Sequence, residues 1–298
     1  MIKTISPKQA YSKGDRFFIF FDWILLFLLL IIILYPLLYI ISASFTAGTT
    51  VMSLSLIPQK VSLVGYKTVF QFKDIWTGYA NSLFYMAAGT SISLMLTIFC
   101  AYPLSRSDFK GANVVMVLCM ITMYFSGGLI PTYLLVRNLG LLNSRLAVLL
   151  PGAMSVYNVI VMRTYFRTQI PTEVLESAQL DGCGNIQYLF RILIPLSVPI
   201  LAVIGLFYAV GYWNSYFDAM IYLKDRTKFP LSLFLREILV LNNANIDTID
   251  VNELMEMEQR RELMKYAVII VSTLPVMILY PFVQKYFVKG IMIGAVKG

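Results

Sequence analysis

The sequence contains no histidine. That absence removes imidazole acid–base catalysis, Ser-His-Asp triads and most zinc sites at once. No GxxxxGK[ST] stretch occurs either, so the chain has no phosphate-binding loop of its own with which to hydrolyse ATP. Charge is also scarce. Asp, Glu, Lys and Arg make up 13% of the 298 residues, against about 25% in a soluble domain. The three cysteines, Cys100, Cys119 and Cys183, fit neither a metal-ligand nor a disulfide spacing and are expected to stay reduced. No catalytic residue, no metal site and no cofactor bound by this chain is expected.

Apolar sequence fills the space. Hydrophobic residues make up 58% of the chain, and the mean hydropathy is +0.74. The net charge is +8, yet no dense basic stripe with interleaved aromatics is present, so no nucleic-acid partner is expected. The excess of Lys and Arg fits loops retained on the cytoplasmic side of a bilayer.

The reading is an all-α polytopic membrane protein with six transmembrane helices, each needing about 20 apolar residues. The expected spans are about 17–45, 79–104, 112–136, 146–166, 192–223 and 266–288, with residues 1–16 a cytoplasmic N-terminal tail. The run from Trp23 to Ile41 exceeds the roughly 7–15 residues of a signal-peptide core, so the first span reads as a retained anchor. Six crossings put both termini and the loops at 105–111 and 167–191 on one side. That side holds 12 of the 24 basic residues, and the basic amino terminus makes it cytoplasmic. Arg137 and Arg145 then fall in a short loop outside.

Two outer segments stand apart: Thr46–Gly78, and the longer Lys224–Lys265. The second starts as an amphipathic helix, "PLSLFLREILVL", and ends in the charged "ELMEMEQRRELMK". It is either a solvated connector or a docking surface, since loops beyond about 12–15 residues are usually functional or disordered. Glu256, Glu258, Arg260 and Arg261 place mixed charge on a helix there, suited to steering an external protein partner.

The stretch "EVLESAQLDGCGNIQYLFRILIPLSVPI", Glu173 to Ile200, runs from polar to greasy without a pause. Thr172 is expected to cap a short cytoplasmic helix, with Glu173 placed where the helix dipole favours an acid. The helix should end near Asp181. Gly182 and Gly184 supply a turn, and a second short helix from about Asn185 leads into the fifth span. Pro199 suggests a bend.

These residues resemble the EAA loop of binding-protein-dependent ABC importer permeases. That loop reads Glu-Ala-Ala, three residues, Gly, nine residues, Ile, any residue, Leu-Pro. Here it reads Glu176-Ser177-Ala178, Gly182, Ile192 and Ile194-Pro195, departing at Ser177 and Ile194. Asp181-Gly182 is similar to a pair common there. "GGLIPTYLLVRNLGLLNS", "YNVIVMRTYF" and "YWNSYFDAMIYL" resemble the carbohydrate branch, especially permeases for complex oligosaccharides. The resemblance implies a permease of a bacterial cell membrane, importing a sugar handed over by an extracytoplasmic solute-binding protein. It implies a second, distinct permease subunit and two ATP-binding subunits that hold ATP and Mg. Residues Glu173, Glu176, Ser177, Ala178, Asp181 and Gly182 would then couple ATPase to pore.

An ion-coupled secondary transporter stays open as an alternative, as does an importer of a non-sugar solute. Asp22, Arg163 and Asp218 are the ionisable residues within or beside spans, all toward span ends. For the sugar path, Tyr208, Tyr212 and Tyr216 recur every four residues and form one stripe, with Trp213, Asn214 and Phe217 beside it. A phenol facing hydrocarbon would be unsatisfied, so the stripe should face protein or a wet cavity. An aromatic belt at the outer leaflet competes for Trp213 and Phe217.

Overall fold

The computed structural model describes residues 13–46, 61–240, 264–281 and 284. The expected binding-protein contact, Glu256, Glu258, Arg260 and Arg261, lies outside the described residues. Among those residues the secondary structure is helical, apart from an isolated bridge pairing Thr46 with Val61. The chain divides into two compact units, residues 1–69 with 246–270, and residues 70–245 with 271–298.

In the first unit, α1 spans Lys13–Ser44 and exposes nearly every apolar side chain from Phe17 to Leu38. Water would not tolerate that surface, but lipid does. The end of α1 is tied down. Ser44 Oγ shares a 2.8 Å hydrogen bond with Tyr66 Oη, and Phe45 packs on the Tyr66 ring at 5.2 Å. Tyr39 meets Tyr266 edge-on at 6.0 Å. Helix α2 follows at Val64–Gln71.

The second unit is built on α3, Lys73–Ser105. Its buried positions include Gly78, Ser82, Tyr85, Gly89, Ser93, Thr97 and Ala101, while Leu83, Met95, Leu96 and Phe99 are exposed. This inverts the pattern of a soluble helix. Apolar residues meet the surroundings, and small or hydroxyl residues meet neighbouring helices, where they allow close approach and hydrogen bonding.

The remaining helices are α4 (Ala112–Tyr124), α5 (Leu129–Asn138), α6 (Leu146–Leu149), α7 (Val156–Gln169), α8 (Thr172–Leu180), α9 (Asn185–Tyr188), α10 (Ile194–Leu196), α11 (Val198–Trp213), α12 (Tyr216–Tyr222) and α13 (Leu231–Val240). A π-helical turn, Leu189–Leu193, joins α9 to α10. The last described helix, α14, is Met264–Pro281.

Three of these helices are long and apolar enough to cross a bilayer: Gly14–Ser44, Lys73–Ser105 and Met264–Pro281. Two bent pairs would each add one more. Helices α4 and α5 turn by 110° through Ser126-Gly127-Gly128, where Gly128 sits at φ 88°. The stretch Asn185–Leu196 and α11 meet at 84° around Ser197. Pro199 lacks an N–H, and its ring opposes a straight helix through that point. The expected fourth span is divided. Its main helix, α7, has 14 residues, about 21 Å of helix against about 30 Å of hydrocarbon. The expected fifth span breaks again at Asn214–Ser215.

Helices α3 and α11 approach closely at Gly89. A Cβ there would lie 2.5 Å from the Tyr212 ring, which is buried and held by two hydrogen bonds of its hydroxyl. Gly89→Val should therefore destabilise the protein by about 1–3 kcal/mol. Gly205→Ala, whose added carbon meets only the end of Leu94 at 3.4 Å, should change little. Thermal unfolding of both variants in detergent checks the contrast.

Candidate functional site

The element around Gly182 is built by capping chemistry. Ile170 is extended, as a residue before proline must be, and Pro171 takes the N-cap position of α8 at φ −60° and ψ 140°. Thr172 is thus the first helical residue rather than the expected cap, and its side chain caps nothing. Val174, Leu175 and Ala178 turn inward and pack on the core. Glu173, Glu176 and Ser177 face outward, and Leu180 is 90% exposed.

The helix ends in a Schellman closure. Cys183 N donates to Ala178 O at 2.9 Å, and Gly182 N donates to Gln179 O at 3.0 Å. This closure needs Gly182 in the left-handed region, and its φ is 75°. Gly184, at φ −72°, carries no such demand. The chain then re-enters helix at Asn185. The result is an elbow with α8 on one arm and Asn185–Leu196 on the other. Between α8 and the ends of α3 and α7 lies a cavity of about 190 Å³, lined by Arg106, Phe166, Arg167, Thr172, Leu175 and Tyr188 among others.

At the Ser105 end of α3, Arg106 forks onto Asp108 at 2.7 and 2.5 Å. That pairing holds the Asp108 carboxyl below the usual carboxylate range and raises the Arg106 guanidinium further. Asp108 is mostly exposed, so water screens most of this energy. Arg163 on α7 donates to Leu104 O at 2.8 Å, joining α7 to the same end of α3.

The expected tyrosine stripe resolves into two groups. Tyr208 Oη and Thr97 Oγ1 are 2.8 Å apart, and Ser155 N donates to Tyr208 Oη at 3.1 Å. Tyr212 Oη donates to Leu149 O at 2.9 Å and lies 3.0 Å from Ser93 Oγ. Both rings are buried, so their hydroxyls serve the bundle. Trp213 is buried too, donating to Ser272 O at 3.2 Å and packing on Tyr79. The helix then stops. Asn214 Nδ2 returns to Val210 O at 2.9 Å, and Ser215 Oγ donates to Tyr212 O at 2.7 Å. The break takes Tyr216 off the stripe. Asn214, Tyr216 and Phe217 are exposed beside it, and Asp218 on α12 is half-buried.

At the opposite end of α3, one cluster escapes sequence reading. Asn81 Nδ2 donates to Thr227 O and Phe229 O at 2.7 and 3.0 Å, while its Oδ1 accepts from Arg145 at 2.9 Å. Tyr85 Oη donates to Lys228 O at 2.8 Å, and Leu231 N donates to Ser82 Oγ at 2.9 Å. Asn143, at φ 58°, accepts from the amides of Lys224 and Asp225. Arg226 reaches both Asp74 and Glu237 at 3.0 Å. The only advance signal is a polar Asn81 inside an apolar helix.

Residues 75–293 match the family model described as the inner membrane component of binding-protein-dependent transport systems. The chain belongs to that family. It is 40% identical over 281 residues to YtcP of Bacillus subtilis (strain 168), named a polygalacturonan/rhamnogalacturonan transport system permease protein, covering 93% of this chain and 96% of that one. Protein LplC of the same organism is 41% identical over 268 residues, covering 88% and 89%. One chain in the crystal structure of a bacterial ABC transporter that imports the acidic polysaccharide alginate superposes with a TM-score of 0.84. It is 35% identical, and the match covers 94% of this chain and all of that one. The family match thus takes in residues 75–293, and the structural match 94% of the chain.

Gly182 gives a direct test of the elbow's construction. No atom lies within 4 Å of where its Cβ would be, so the cost of substitution is backbone strain alone. Gly182→Ala should lose about 1–2 kcal/mol of local stability and Gly182→Asn less, because Asn tolerates left-handed backbone. Hydrogen exchange at the Gly182 and Cys183 amides, faster in Ala than in Asn, checks the order.

Proposed function

We propose that this chain is the transmembrane permease subunit of an ATP-driven importer of a sugar or oligosaccharide. Family membership supports the permease role, and the sugar polymers named for its relatives support the substrate class. On this reading the protein crosses the membrane six times. The bent pairs α4–α5 and Asn185–Leu196 with α11 complete two crossings, α6 and α7 together make another, and both termini are cytoplasmic. A second permease completes the pore, two ATP-binding subunits hold ATP and Mg, and an external binding protein delivers the sugar.

One observation carries the coupling role: the Glu176-Ser177-Ala178 and Gly182 pattern lies on an elbow whose inner face is packed and whose outer face is free. Glu173, Glu176, Asp181 and Leu180 present charge and apolar surface to the ATPase, while Ala178 seats the helix and Gly182 closes it. A helix closed at its C-terminus passes on displacement better than a frayed one, because its last carbonyls are already satisfied.

The sugar path is assigned to the break in the fifth span. Irregular backbone at membrane depth is tolerated where it lines protein or a wet cavity, and transporter substrate sites use such discontinuities. Asn214 and Tyr216 offer hydrogen bonds to sugar hydroxyls, and Phe217 offers a ring face. Tyr208, Tyr212 and Trp213 form the wall behind them.

In the complex reconstituted in membranes, Glu176→Lys should leave assembly intact and abolish the stimulation of ATPase by loaded binding protein. Normal stimulation would end the coupling assignment. Asn214→Ala should lower or redirect sugar transport while stimulation is retained, whereas Tyr208→Phe should lower thermal stability first, because it strips Thr97 and Ser155 of a partner. Uptake assays with saturating binding protein separate the two outcomes. Uptake restricted to a non-sugar solute would reassign the substrate.

A further inference from the structure

The elbow packs on the core through apolar side chains, and polar groups tie its second arm to α3. Arg106 stands just past the end of α3, with its side chain 11% exposed. Nε and Nη2 are spent on Asp108, and Nη1 donates to Tyr102 Oη at 3.1 Å and to Asn185 Oδ1 at 3.0 Å. Asn185 is the first residue of the elbow's second arm. The Tyr102 ring, on α3, stacks against Tyr188 of the same arm at 6.2 Å. The guanidinium thus joins three pieces of chain: α3, the 105–111 loop and the elbow.

The first arm is held differently. The cavity lies between Thr172 and Leu175 on α8 and Tyr102 and Arg106 at the end of α3. The second arm is clamped to α3 by polar side chains, while the first rests on the core through Val174, Leu175 and Ala178 and borders the cavity beside them. The clamped arm thus gives a displacement of the elbow a polar, directional link to α3. Helix α3 is 33 residues long, about 50 Å. At its far end Asn81, Ser82 and Tyr85 hold the backbone of 227–231.

We propose that Arg106 is a positioning residue that clamps the elbow to α3 through Asn185. Movement imposed on the elbow then reaches the 227–231 segment along one continuous helix. This rests on the elbow being the ATPase-facing element. Arginine suits the task because its planar fork holds Asp108 with two donors and still presents a third toward Asn185. A lysine ammonium has the charge but no such fixed geometry.

The test uses the whole reconstituted complex, with basal ATPase, ATPase stimulated by loaded binding protein, and hydrogen exchange of the Asn185–Tyr188 amides as readouts. Asn185→Leu and Arg106→Lys should assemble and keep basal hydrolysis, while stimulation falls on the order of fivefold. Asn185→Asp, which keeps an acceptor for Arg106, should restore stimulation. Amides of the second arm should exchange faster in Asn185→Leu and at the original rate in Asn185→Asp. A merely structural role would lower assembly in all variants without separating stimulated from basal activity. Asn185 is exposed, so its two variants carry the test even if Arg106→Lys does not assemble. Normal stimulation or unchanged exchange in Asn185→Leu, beside a Glu176→Lys control that uncouples, would overturn the clamp alone. Normal stimulation in the Glu176→Lys control as well would overturn both the clamp and the elbow reading.

Discussion

Inside a hydrocarbon layer a hydroxyl, an amide or a backbone carbonyl has no partner except another part of the protein. The packing of the larger unit follows from that rule through α3. Ser93 and Thr97 turn their hydroxyls toward Tyr212 and Tyr208. Thr97 spends its own hydrogen on Ser93 O, so Tyr208 supplies the proton in its bond with Thr97. Tyr212 is committed to Leu149 O, so Ser93 donates to it. Each hydroxyl has one direction open to it, and the sequence of donors fixes how α3 and α11 face each other. Gly89 lets the Tyr212 ring come close enough for that geometry.

Irregular backbone occurs where the chain can satisfy it locally. The elbow closes on its own carbonyls through Cys183 and Gly182. At the other end of α11, Asn214 and Ser215 return their side chains to the carbonyls of Val210 and Tyr212. Both breaks thus satisfy backbone groups with neighbours on the same chain, leaving outward faces free for other molecules. At the elbow those faces are Glu173, Glu176 and Leu180. At the break in the fifth span they are Asn214, Tyr216 and Phe217.

The arginines show how little of a charge's task is visible in its position along the chain. Read from sequence, Arg106 and Arg145 count only as votes for orientation, and Arg163 also as an ionisable residue toward a span end. In the fold Arg106 reaches Asn185, Arg145 lies over the Phe84 ring at 4.7 Å while donating to Asn81, and Arg163 holds Leu104 O. Arg106 uses the fork, Arg145 the flat face and Arg163 a single N–H of the guanidinium, none of which a count of positive charges registers. The tyrosine stripe fails as a pattern for a related reason. Period-four spacing assumes an unbroken helix, and Asn214 ends it before Tyr216.

The sequence by itself determined the class of protein, the long apolar helices and the elbow. Long apolar runs have few stable alternatives to a membrane helix, and the glycine at 182 is dictated by local backbone geometry. It also carried the inward face of α3 in Gly78, Ser82, Gly89, Ser93 and Thr97, legible once small residues are read as contact positions. Only the tertiary structure decided that Tyr208, Tyr212 and Trp213 are buried and bonded within the bundle, that the third, fourth and fifth expected spans are broken, and that Asn81, Asn143 and Arg226 organise the 224–231 segment. Those outcomes depend on which partner satisfies each polar group. Tyr85 and Lys228 meet across a separation of 143 residues, and no local preference specifies such a pairing.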